Sequence, residues 1–351
     1  MDRVNLLELD QAGMEAFVTQ ELGLSRFRAD QLWQWVWQKG ARDFEAMTNI
    51  AKDVRAKLAE MAELPWPEVA KTAVSTDGTV KFLLRLADGH TVETVLIPGR
   101  GRFTQCLSTQ VGCAMGCTFC TTGLMGLTRN MSAGEILGQI LVARAWLAEH
   151  HDWPLRNLVF MGMGEPLMNL DAVLRALGMM QTELGLSISW RRSTVSTVGI
   201  PEGLRRLGES GLALPAVSLH APTQELRARI MPKAARTHLD ELMAALDAFP
   251  LPDRERITYE YLLLGGVNDS VEHAGQLVSL LAQRRCKVNL IAYNPPPPEA
   301  GTLPYVTPAP EAVEAFAAHL RARGLTATLR RSMGRDIGAA CGQLKAAEPP
   351  A

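Results

Sequence analysis

Three cysteines, Cys113, Cys117 and Cys120, stand at i, i+4 and i+7 in the segment Gly112-Cys113-Ala114-Met115-Gly116-Cys117-Thr118-Phe119-Cys120. A loop with this spacing turns three thiolates toward one point, and soft thiolates suit zinc or an iron–sulfur cluster. A closed zinc site asks for a fourth ligand, and Cys106 is the nearest candidate in sequence. The alternative is a 4Fe–4S cluster with one iron left open, where a small molecule binds through amino and carboxylate groups. Spacing alone leaves both readings standing. Cys286 and Cys341 are solitary, and a solitary cysteine is most often a small buried hydrophobe.

The elements that must position this loop follow a recognisable rhythm. From about residue 104, strands and helices alternate. Apolar strand candidates cover 157–161, 193–198, 215–219, 257–264 and 287–293. Amphipathic helices are expected over 133–149, 170–184, 239–249 and 270–284, with Ser132 and Glu135 forming a capping box for the first. Such alternation predicts a parallel α/β sheet or barrel.

Upstream, residues 1 to about 65 read as helical. Trp33 and Trp37 share a helix face, that helix ends near Gly40, and Thr48 is the expected N-cap of the next helix, through Leu64. Pro65 and Pro67 break the pattern. Between 68 and 110 the pattern turns to strands. Asp77-Gly78 and Asp88-Gly89 are hairpin turns flanking the strand candidates Val80 to Leu86 and Thr91 to Ile97. The run Pro295 to Pro298 is too short to separate domains, and Glu348-Pro349-Pro350-Ala351 reads as a frayed end.

Composition narrows the class. The 351 residues carry 47% hydrophobic and 21% charged residues, ordinary for a globular protein with a sizeable core. A formal net charge of −1 excludes a molecule that attracts nucleic acid as a whole, so an RNA partner needs local basic patches. Arg191-Arg192, Arg205-Arg206, Arg284-Arg285 and Arg330-Arg331 are candidates for phosphate contacts. No apolar stretch is long enough to cross a bilayer, and Met1 to Asn5 lacks a signal-peptide pattern, so the expectation is a cytoplasmic protein without a membrane partner.

The Cys-x3-Cys-x2-Cys spacing, with Phe119 before the last cysteine, resembles the radical-SAM signature. Further segments resemble one branch, the adenine-C2 RNA methyltransferases called RlmN. They are Arg28-Ala29-Asp30-Gln31-Leu32-Trp33, Cys106 to Gly112, Met161 to Leu167, Ser193 to Gly199, Ser218-Leu219-His220-Ala221-Pro222, Tyr293-Asn294-Pro295 and Asp336 to Leu344. They span nearly the whole chain in order.

This resemblance implies an α/β fold, a partial (β/α)6 radical-SAM barrel over 104–345. A small N-terminal helical domain over 1–65 and a β-hairpin extension over 66–103 precede it. It implies that Cys113, Cys117 and Cys120 hold a 4Fe–4S cluster whose open iron takes S-adenosylmethionine (SAM). Gly164, Glu165, Ser196, Ser218, Leu219, His220 and Asn294 then bind SAM. Cys341 carries a methyl group, Cys106 resolves a covalent RNA adduct by forming a transient disulfide with Cys341, and Glu93 accepts a proton. The implied partners are 23S rRNA, tRNA and an electron donor such as a flavodoxin. A related C8 branch shares the cysteine chemistry and is the close rival.

Overall fold

The computed structural model describes residues 3–297 and 302–345; Pro298 and residues 346–351, the expected frayed end included, lie outside the described residues. The N-terminal region is pinned shut by its own ends, since β1 (Val4–Asn5) pairs in parallel with β2 (Ala62–Glu63). Between them run α1 (Gln11–Ala16), α2 (Phe27–Trp37) and α3 (Lys52–Met61). On α2 the residues Ala29, Leu32, Trp33, Val36 and Trp37 are buried, the three-and-four spacing of one helix face. Thr48 is not a cap. Met47 and Ile50 turn into the core and hold this stretch in a turn, so α3 starts at Lys52 behind Ala51 with no side-chain cap.

One sheet of ten strands forms the rest of the frame. Its first part is antiparallel: β3 (Glu68–Val74), β4 (Val80–Arg85), β5 (Thr91–Gly99) and β6 (Arg102–Cys106). Gly78 and Gly89 both take φ 85°, the left-handed backbone that the two hairpin turns demand. Strand β6 then pairs in parallel with β9 (Leu155–Phe160), so the hairpin extension and the α/β part share one continuous sheet. A small antiparallel pair, β7 (Gln110–Cys113) and β8 (Gly126–Asn130), brackets the short α4 (Thr121–Met125).

The parallel part continues through β10 (Ser193–Thr197), β11 (Leu214–Ser218), β12 (Ile257–Leu263), β13 (Cys286–Ala292) and β14 (Ala327–Arg330). The crossovers carry α5 (Ala133–His150), α6 (Leu170–Met180), α7 (Pro201–Ser210), α8 (Gln224–Ile230), α9 (Leu239–Asp247), α10 (Val271–Leu281) and α11 (Pro310–Ala322). The capping box at the start of α5 is present as expected, with Ser132 and Glu135 bonded reciprocally. Strand β14 was not anticipated: it is four residues long and two of them are exposed, so no apolar run marks it.

Helix α5 is buried nearly all round, at Ala133, Gly134, Ile136 through Ala143 and Leu147. A helix apolar on every side needs cover on both faces. The helical region supplies the second cover. Glu8 bonds Ser132 Oγ and the Gly134 amide, Arg144 Nη1 donates to Trp37 O at 2.8 Å, and Trp33 Nε1 donates to Thr182 Oγ1 at 3.1 Å. Residues of both regions fall in one continuous hydrophobic core.

Candidate active site

The cysteine loop begins where β7 ends. Gly112 takes φ 78°, and a Cβ there would meet Gly126 O at 2.0 Å. Only glycine allows β7 and β8 to approach this closely, and the approach fixes the direction in which Cys113 leaves the strand. Beyond it the loop is tied to the α8 segment. The Thr118 amide donates to Ile230 O at 3.0 Å, and Lys233 Nζ donates to Ala114 O at 2.6 Å. Phe119 packs edge-on against the His220 ring, with centroids 5.1 Å apart.

Strands β9 to β14 curl around one chamber that opens to solvent and encloses about 140 Å³. Cys113, Cys117 and Cys120 line it, together with Gly164, Glu165, Ser196, Ser218, His220 and Cys341. These groups sit at or beyond the C-terminal ends of parallel strands, where ligands gather in such sheets. Leu219 and Asn294 do not line the chamber. Leu219 is buried in the core, and Asn294 Nδ2 bonds Ala292 O and Ser332 Oγ. Cys106 is buried near Cys341, close enough that a charge on the Cys341 sulfur would disfavour one on Cys106. Burial pushes the Cys106 thiol up to about 12.

Glu93 stands apart from the chamber. It lines a neighbouring cavity with Lys71, Lys81, Gly338 and Lys345. Its Oε1 pairs with Lys81 Nζ at 2.9 Å, and its Oε2 accepts from the Lys345 amide at 2.7 Å. Burial raises the pKa of this carboxyl, and the Lys81 charge opposes that rise. In this arrangement Glu93 anchors the C-terminal segment. Further bonds complete the anchorage: Lys81 Nζ to Gly338 O, Ser75 Oγ to Asp336 Oδ1, Thr121 Oγ1 to Gly342 O and Thr122 Oγ1 to Leu344 O. The last two join the segment that carries Cys341 directly to the residues after Cys120.

Glu165 is buried, and both oxygens hold backbone: Oε1 accepts from the Leu167 amide at 3.0 Å and Oε2 from the Val198 amide at 2.9 Å. Burial raises its pKa, while hydrogen bonds from Thr197, Val198 and Leu167 oppose the rise. Gly164 takes φ 104°, and a Cβ would press on Gln110 at 2.6 Å, so packing alone already demands glycine. Ser196 Oγ and Ser218 Oγ stand 3.4 Å apart. His220 Nδ1 accepts from the Leu262 amide at 3.0 Å, and burial lowers its pKa to about 3, so the ring is neutral.

Two lining residues escaped the sequence reading as site groups, Glu260 and Arg330. Glu260 carried a signal, a lone acid in the otherwise uncharged strand Ile257-Thr258-Tyr259-Glu260-Tyr261-Leu262-Leu263. Arg330 was visible only as half of a basic pair. In the structure it is half-buried, near enough to Cys341, Glu260 and Cys106 to feel their charge.

The donor set fits a cubane cluster with one open corner. Among the described residues, no three His, Cys, Asp or Glu side chains converge on one ion position. A 4Fe–4S cluster asks for something different, because each thiolate takes its own iron and the sulfurs surround a larger group. The three cysteines are close enough to influence one another's charge, and Cys106 is absent from the chamber lining, so it does not complete their set. Burial pushes the Cys113 thiol up to about 11 and raises Cys117 and Cys120 as well. Thiols held in this way give up protons when they bind metal.

Comparison with known proteins agrees with this geometry. The model of the ribosomal RNA large subunit methyltransferase N-terminal domain matches residues 4–64, and that of the radical SAM superfamily matches residues 107–278. The chain is 61% identical to the dual-specificity RNA methyltransferase RlmN of Nitratidesulfovibrio vulgaris strain DP4, over 98% of this chain and 95% of that protein. It is also 61% identical to the RlmN of Oleidesulfovibrio alaskensis, over 98% and 97%. A crystal structure of a radical SAM methyltransferase from Sphaerobacter thermophilus superposes with a TM-score of 0.92 at 41% identity, covering 98% of this chain and 99% of that one. Matched to RlmN proteins over nearly its whole length, this protein belongs to the RlmN family of radical-SAM RNA methyltransferases.

Proposed function

We propose that the enzyme methylates C2 of adenine in 23S rRNA and tRNA, using Cys341 as methyl carrier. The observation that carries this is the sharing of one chamber by Cys341 and the three cluster cysteines. When bound, the cluster and SAM supply one-electron cleavage of the sulfonium carbon–sulfur bond. Cys113, Cys117 and Cys120 hold the cluster. Glu165, Ser196, Ser218 and His220, with the backbone at Gly164, line the space the cofactor would take, whereas Leu219 and Asn294 stand behind that lining.

Adenine C2 is electron-poor and a weak nucleophile, so direct displacement on a sulfonium methyl is unfavourable there. Cys341 is a better acceptor. Its sulfur takes the methyl group and presents the carbon to C2, so the base must be extruded to reach it. Removal of one hydrogen from the Cys341 S-methyl group by the 5′-deoxyadenosyl radical would let that carbon bond to C2. After the C2 proton is lost, Cys106, buried at its side, would attack the Cys341 sulfur, so that the carbon–sulfur bond breaks as the S–S bond forms. The released carbon takes up a proton to become the methyl group, and the surplus electron returns to the electron-transfer chain. Glu93 is the proposed proton acceptor; since it holds Lys81 and the Lys345 amide, this role calls for the C-terminal segment to shift. A cytoplasmic location and a flavodoxin-like electron donor belong to the same reading. Among the described residues no helix is long and apolar enough to cross a membrane.

Cys341→Ala tests the carrier. The variant should bind the cluster after anaerobic reconstitution and cleave SAM when reduced, yet transfer no methyl group to RNA. Retained methylation would rule out the carrier. A colourless protein holding one zinc would rule out the cofactor chemistry as a whole.

A further inference from the structure

Glu260 lies in the middle of β12, a strand whose seven residues are all buried. A parallel strand covered on both faces is expected to be apolar. A carboxylate placed there loses its hydration and must recover it from hydrogen bonds and charges. Half of that requirement is met. Asn289, its register partner on β13, donates from Nδ2 to Glu260 Oε1 at 2.9 Å. Thr328 Oγ1 on β14 donates to Asn289 Oδ1 at 2.6 Å and fixes the orientation of that amide. Arg330 is near enough to favour the ionised form against the effect of burial.

The other half is not met. Glu260 Oε2 is buried and finds no hydrogen-bond partner among the described residues. The side chain lines the reaction chamber together with its other register partner, Ser218, and with Arg330, two residues past Thr328 on β14. A purely structural carboxylate in this setting would have both oxygens answered. Here one oxygen is held rigidly by a chain of two amide and hydroxyl bonds, and the second is left over where a ligand enters.

We propose that Glu260 is a ligand-reading acceptor, whose Oε2 receives hydrogen bonds from the O–H or N–H donors of an adenosine bound in the chamber. This rests on the function proposed above, under which two adenosines enter the same space. One belongs to SAM and the other to the target RNA. Both carry ribose hydroxyls and an exocyclic amine. Glu260→Gln is the informative change, because a glutamine keeps an acceptor for Asn289 but replaces Oε2 with an N–H donor that faces donors. Removing a buried charge with an unanswered oxygen also relieves the ligand-free protein.

The test uses the full chain, reconstituted anaerobically, as wild type, Glu260→Gln and Glu260→Leu. Equilibrium dialysis measures affinity for radiolabelled SAM in one arm and for unmodified transcribed tRNA in the other, and thermal unfolding is followed without ligand. Both variants should lose at least about tenfold in one arm, the scale of a hydrogen bond to a charged group. Their ligand-free melting temperature should be unchanged or higher. Loss in the SAM arm assigns the oxygen to the cofactor, and loss in the tRNA arm assigns it to the target. Unchanged affinity in both arms overturns the proposal, and so does a Glu260→Gln protein that melts well below wild type, since that marks a structural role. A wild-type protein that binds neither SAM nor tRNA overturns the proposed function, and this inference with it.

Discussion

At the scale of single residues, the site is built from groups held in one state by burial. His220 is the clearest case. Burial lowers its pKa from 6.5 to about 3, with the Arg227 charge acting in the same direction. Its Nδ1 is committed as an acceptor to the Leu262 amide. The unfolded chain takes up a proton at this histidine below about pH 6.5, while the folded protein does not until about pH 3. Stability from His220 is therefore complete above the unfolded value and is lost as pH falls through this window. Chemical denaturation at about pH 7 and about pH 5 should show wild type losing on the order of 2 kcal/mol more than His220→Asn. The asparagine Oδ1 replaces the acceptor without titrating. Equal losses in the two proteins would show that His220 is not held neutral. Cysteine identity and spacing marked Cys113, Cys117 and Cys120 as candidate cluster ligands in sequence, and the structure brings all three to one chamber. The pairing of Cys106 with Cys341 was expected only from family resemblance: the two lie 235 positions apart, a separation that carries no sign of contact, and only the fold brings them close.

At the scale of elements, the β7–β8 pair and the C-terminal segment decide where the sulfurs stand. Gly112 is the most sensitive point, because its φ is positive and its missing Cβ leaves room for the Gly126 carbonyl. Gly112→Ala should cost roughly 1–3 kcal/mol of backbone strain, more if the strands must separate. Iron per chain after anaerobic reconstitution should fall with it, as read by metal analysis beside a denaturation curve. Full iron loading at an unchanged midpoint would show that the close crossing does not position Cys113. Strands with long apolar runs, such as β12 and β13, were readable to within a residue or so. Strand β14 was not, because its short, half-exposed sequence lacks periodicity and its place comes from pairing with β13. The start of α3 was misread for a related reason: burial of Met47 and Ile50 overrides the capping preference of Thr48.

At the scale of the molecule, charge is arranged more locally than the sequence pairs suggest. Arg205 is bonded to Glu202 and Glu209, Arg206 to Asp171 and Arg284 to Asp247. Arg330 is inside the reaction chamber. These members of the four basic pairs are thus committed within the protein and are poor candidates for phosphate contacts. Exposed partners could not be told from neutralised ones without the fold, because their carboxylates lie three to 37 positions away. The helical region is no loose appendage either, since it covers α5 and shares its core with the α/β part. Cys341 and the cysteine loop share one chamber at the C-terminal ends of the parallel strands. The most direct measurement is mass analysis of nucleosides from rRNA and tRNA after anaerobic turnover with reductant and SAM. The account predicts 2-methyladenosine in both RNAs; 8-methyladenosine instead, or unmodified adenosine from protein with an intact cluster, would contradict it.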